Sequence, residues 1–92
     1  MNKDEKFDAI AKLESEHIDR LSREVRGNAR DTFDDHLGLK ELAIEAMALG
    51  IWIFVCEMFD LDEDQDLVDY TRDHVYDAII DKALKKKEAE HE

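Results

Sequence analysis

Apolar residues recur at helical spacing along almost the whole chain, and strand-like alternation is absent. At 100° per residue, Phe7, Ile10, Ala11, Ile18, Leu21 and Val25 share one face of a first helix. The opposite face carries Asp8/Lys12, Glu16/Arg20 and Asp19/Arg23, each an acid four residues before a base. Gly27-Asn28 is the expected stop or kink, since both residues tolerate left-handed backbone. A second helix is expected from Thr32, whose spacing to Asp35 imitates a capping box, to about Phe59. From Ala46 to Cys56 that helix is apolar all the way round, flanked by Glu45 and Glu57. A third helix follows a short acidic turn in which Asp62 and Gln65 have capping-box spacing. Its buried face is expected to hold Leu67, Val68, Thr71, His74, Val75, Ala78 and Ile79. Tyr70, Tyr76, Ile80 and Leu84 fall on its outer side, as a second contact surface or as packing against another helix. The pattern predicts one all-α, three-helix domain with helices over about 3–28, 32–59 and 63–87 and a frayed, charged C-terminus.

The central apolar helix changes this picture. Eleven apolar residues span only about 16 Å, too short to cross a bilayer. Two flanking helices in a 92-residue chain are poorly placed to cover it on every side. A homodimer is therefore expected, with Leu49, Ile51, Trp52, Ile53, Phe54 and Val55 at or near the interface. Cys56 is the only cysteine, so no internal disulfide exists, and the N-terminus lacks the apolar core of a signal peptide. A cytoplasmic location is expected.

The net charge is −12, and it is concentrated. Residues 1–30 hold seven acids and seven bases, whereas residues 31–73 hold thirteen acids against Lys40 and Arg72. Such a balance disfavours binding nucleic acid or anionic membrane directly. On the third helix, Asp62, Asp66, Asp69, Asp73 and Asp77 recur at steps of four, three, four and four. They lie opposite the buried face, and Asp60, Glu63 and Asp64 thicken the near end of the row. Ordinary solvated faces mix signs, as the first helix does, and this one is nearly pure acid. The row reads as a phosphate-like track for a basic partner protein, with an ordinary solubilising face as the alternative.

Other constellations are weaker. The alternation Asp60, Asp62, Asp64, Asp66 suggests a calcium loop. From Asp60, however, the sixth and twelfth positions are Gln65 and Thr71, and from Asp62 they are Leu67 and Asp73. An EF-hand needs Gly and Glu there. Glu14 and His17 match the Glu-x-x-His pair of ferritin-like metal bundles, but no second pair follows. Arg30-Asp31 followed by His36 resembles the Arg…His motif of helical HEPN ribonucleases, though strong acidity suits an RNA substrate badly. Arg20, Arg23, Arg26 and Arg30 form the basic stripe, read mainly as internal pairing with Glu16 and Asp19. No phosphate loop, nucleophile–base pair or acid/base dyad converges, so neither catalysis nor a cofactor is expected.

Asp66-Leu67-Val68 followed by His74-Val75-Tyr76-Asp77 resembles the late helix of the Ocr anti-restriction proteins of phages, and Arg30-Asp31-Thr32 resembles an earlier region of them. The likeness covers roughly residues 30–80 and needs gaps. It implies an all-helical dimer whose carboxylates imitate DNA phosphates and occupy the DNA groove of a restriction enzyme. This chain departs in its electrically neutral first helix and in its C-terminal lysines.

Overall fold

Three helical rods make up the computed structural model, which describes the backbone of residues 1–32 and 38–91 and the side chains of 1–31 and 38–84. Helix α1 spans Lys3–Thr32 and α2 spans Leu39–Met58. The third rod consists of α3 (Gln65–Thr71), a π-helical turn (Arg72–Tyr76) and α4 (Asp77–His91). The bundle measures 45 × 22 × 17 Å, its long axis matching the length of a thirty-residue helix such as α1. Among the described residues no strand occurs and no helix is long and apolar enough to cross a membrane.

Each boundary has a local cause. The first helix does not stop at Gly27-Asn28; it continues to Thr32. A mid-helix glycine costs about 1 kcal/mol relative to alanine, and burial of Val25 and Ala29 on either side of Gly27 outweighs it. Thr32 therefore ends α1 instead of capping α2, and Asp34, Asp35 and His36 lie outside the described residues. The second helix begins later than expected, after Gly38, whose φ of 70° suits glycine.

The other end of α2 closes with a Schellman turn. Asp60 sits in the left-handed region at φ 56°. Its amide bonds Glu57 O at 3.2 Å, while the Leu61 amide bonds Cys56 O at 2.9 Å. Leu61 is fully buried beneath the turn. The cap of α3 is Asp64, not Asp62: its Oδ1 accepts the amides of Asp66 at 3.1 Å and Leu67 at 3.3 Å. The C-terminal segment expected to fray continues as helix to His91.

Ile10, Ile18 and Val25 of α1 meet Ile44, Ala48 and Val55 of α2 and Leu67, Val75, Ile79 and Ala83 of the third rod. Ala11, placed on the buried face by its spacing, is exposed. Ser22 and Thr71 are buried, and each satisfies its hydroxyl on a carbonyl four residues back, Ile18 O and Leu67 O, both at 2.7 Å. Tyr70 and Tyr76 face neighbouring helices: Tyr70 meets Phe7 edge-on at 4.5 Å, and Tyr76 lies 5.7 Å from Trp52.

The helix expected to be covered all round is covered on one side. Val55 and Cys56 are buried and Ile51 and Trp52 half-buried, whereas Leu42, Leu49, Ile53, Phe54 and Met58 are exposed. A bundle 17 Å thick has room for two helix layers, so the outer face of α2 has no neighbour among the described residues.

Candidate functional site

The acidic face divides into two parts. Asp60, Asp62 and Glu63 lie in the turn between α2 and α3, so Asp62 does not begin a helical stripe. Asp66, Asp69, Asp73 and Asp77 run along the third rod, and Asp81 extends them. Asp81 was signalled by the four-residue recurrence 69, 73, 77, 81 but was left out of the expected row.

The π turn keeps that row straight. Steps of four residues drift by about 40° each around a 3.6-residue helix. Over Leu67, Thr71, Val75, Ile79 and Ala83, all buried, the drift would reach roughly 160° in an unbroken helix. One π turn takes back about 100°, the angular width of one residue. The same reset holds Asp66, Asp69, Asp73, Asp77 and Asp81 within an arc of roughly 80°.

The face is less purely acidic at its N-terminal end than its sequence suggests, because α1 starts beside it. Lys3 Nζ donates to Asp66 Oδ2 at 3.0 Å and stands 3.9 Å from Asp64. Lys6 Nζ donates to the Asp60 carbonyl at 3.3 Å. The hydrogen bond to Asp66 raises the Lys3 ammonium above its ordinary pKa; desolvation opposes it, and the charges of Asp64, Asp66 and Asp4 add to the rise. Asp69 accepts from Gln65 Nε2 at 2.9 Å. Arg72 Nε lies 3.9 Å from Asp73.

Beyond Asp69 the carboxylates of two helices converge. Glu14 of α1 and Asp73, Asp77 and Asp81 of the third rod line an open groove of about 600 Å³. Ala78, Ile80 and Leu84 supply its apolar lining, and Lys82, which bonds Asp19 Oδ1 at 2.8 Å, also lines it. Asp19, expected to pair along α1 with Arg23, thus ties α1 to α4. An apolar lining beneath carboxylates suits a Lys or Arg side chain, whose stem is alkyl and whose head is charged.

Glu14 and His17 do not share a site. Glu14 lines the acidic groove, whereas His17 lines a second groove between α1 and α2 and stands 3.7 Å from Glu16. Among the described residues no group of three or more His, Cys, Asp or Glu is placed to hold a metal ion. The expected interface residues also separate: Leu49, Ile53 and Phe54 face outward, and Val55 belongs to the chain's own core. No protein-family model, curated protein or solved structure matches this chain.

Proposed function

We propose that the protein is a non-catalytic inhibitor that presents carboxylates in place of phosphates to a basic, nucleic-acid-binding protein. The observation that carries this reading is the convergence of Glu14 with Asp73, Asp77 and Asp81 on one groove with apolar lining. A row of acids on a single helix is common on solvated surfaces, but carboxylates from two helices around an open groove with apolar lining match basic side chains. The resemblance of residues 66–77 to the Ocr proteins points the same way, towards an anti-restriction or similar anti-host role. Carboxylates spaced about 5–6 Å apart along a helix are sparser than the charges of duplex DNA, one per about 1.7 Å. The contact is accordingly with a subset of the partner's phosphate-binding residues.

The test is capture of proteins from bacterial lysate on the wild-type chain and on the triple variant Asp69→Lys, Asp73→Lys, Asp77→Lys, at low and high salt. A DNA- or RNA-handling protein held by wild type, released by salt and lost by the variant is the expected result. Equal capture by both forms at low salt would overturn it.

The second reading is a structural or regulatory helical oligomer whose acidity serves solubility. The apolar outer face of α2 favours self-association, and here reversal of the charges along the third rod is silent.

A further inference from the structure

We infer that Phe54 and the groove between α1 and α2 are the two halves of one contact between two copies of this chain. The inference rests on reading the chain as self-associating, and it names the surface and the manner.

The groove has a volume of about 540 Å³ and is lined by Leu13, Leu21, Val25, Met47 and Ile51, with Gly50 at its edge. A Cβ at Gly50 would meet nothing within 4 Å, so the missing side chain leaves the groove open. Phe54 borders the same groove and is 63% exposed. Its ring is too large to be left in water without cost, since aromatic side chains bury about 150–250 Å² each.

A twofold contact requires the same patch on both chains, with projection and recess complementary. This face supplies both within one patch. With Leu42, Leu49, Ile53 and Met58, which are also exposed on α2, Phe54 offers on the order of 500 Å² of apolar surface per chain, at about 200 Å² for a large side chain. That is over half of the roughly 800 Å² per partner of a standard interface.

Charge distribution points to a second copy over a strongly basic partner. The α1 side of the groove carries His17 and Arg20 as well as Glu24, so its rim is mixed. The acidic groove lies on the other flank of α1, so two chains docked this way keep their carboxylate rows apart and facing outward.

Sedimentation equilibrium on wild type, Phe54→Ser and Gly50→Gln tests the contact, with far-UV circular dichroism as the control for folding. Gly50→Gln adds a side chain over the groove at an exposed position and removes a helix-weakening glycine, so it leaves the monomer intact. The expected result is a wild-type dimer whose dissociation constant rises at least about 30-fold in each variant at unchanged helicity. A wild-type dimer that persists with the same affinity in either variant overturns the groove contact while leaving self-association standing. A wild-type monomer overturns both.

Discussion

The amide of Asp77 bonds the carbonyl of Arg72, five residues back instead of four. This bond marks the place where the third rod takes up one extra residue. The hydroxyl of Thr71 bonds Leu67 O at 2.7 Å one turn earlier, giving that carbonyl a partner outside the regular ladder. The cause of the π turn is the spacing of the core residues. Five buried positions four residues apart do not stay on one side of an unbroken α-helix, and the turn restores them.

Removing the extra residue should therefore be tolerated. Deletion of the exposed Asp73 converts the π turn to α-helix and leaves both halves in register, so the melting temperature should fall by only a few degrees. Insertion of one alanine after Asp77 instead rotates Ile79 and Ala83 by about 100° away from the core. That variant should lose cooperative unfolding. Equal damage from the deletion and the insertion, measured by thermal circular dichroism, would contradict the register argument.

Asp64 carries the start of α3. Its carboxylate accepts two otherwise unpartnered amides and lies near the N-terminal end of the helix dipole. Asp64→Ala should cost about 0.5–2 kcal/mol in a denaturant titration. Asp62→Ala, which removes an exposed carboxylate that caps nothing, should cost less than about 0.5 kcal/mol. A larger loss for Asp62 than for Asp64 would return the cap to the position its capping-box spacing suggested.

The contrast between these two aspartates shows where sequence reading stops. Three helices and most of their inward faces were legible because Ile10, Ile18, Leu67, Thr71 and Ile79 keep helical spacing. The cap was not legible, since Asp62, Glu63 and Asp64 all have side chains able to accept an amide. Their choice is made by Asp60 and Leu61, which close α2 first and fix where the next helix begins. Periodicity also hid which side of α2 is covered, because apolar residues surround it completely. The neutralising role of Lys3 was invisible for another reason: it stands sixty-three residues from Asp66 in the chain. Glu14 stood out through its Glu-x-x-His spacing, but its meeting with Asp73, Asp77 and Asp81 needed the packing of two helices.

Trp52 offers a test of the interior on α2's covered side. Its indole nitrogen is buried with no hydrogen-bond partner, and an orphaned donor costs about 1–3 kcal/mol. Trp52→Phe removes the donor and keeps an aromatic ring near Tyr76. Lost volume and relieved desolvation then oppose each other, so stability should stay within about 1 kcal/mol of wild type. Trp52→Ala keeps neither and should cost about 3 kcal/mol. If the phenylalanine variant is as unstable as the alanine variant in urea, the indole nitrogen has a partner that lowers its cost.

Cys56 links packing to pH. The thiol is buried, and burial raises its pKa above the ordinary 9.0, with the charge of Asp62 adding to the effect. The neutral thiol is thus favoured in the folded chain. In the unfolded chain the thiol loses its proton from about pH 9, which stabilises the unfolded state while the folded thiol still holds its proton. Fewer protons bound to the unfolded state means stability falls as pH rises. Wild type should lose stability between pH 9 and the higher folded pKa, and this part of the loss should be missing in Cys56→Ala. Every other group is common to both chains, so the difference between them isolates the thiol. At pH 7.5 the folded protein should react with a maleimide far more slowly than the urea-unfolded chain, because reaction needs an accessible thiolate. Parallel loss of stability in both chains from pH 9 to 10.5, or equal labelling of folded and unfolded protein, would show that Cys56 is not held in the core.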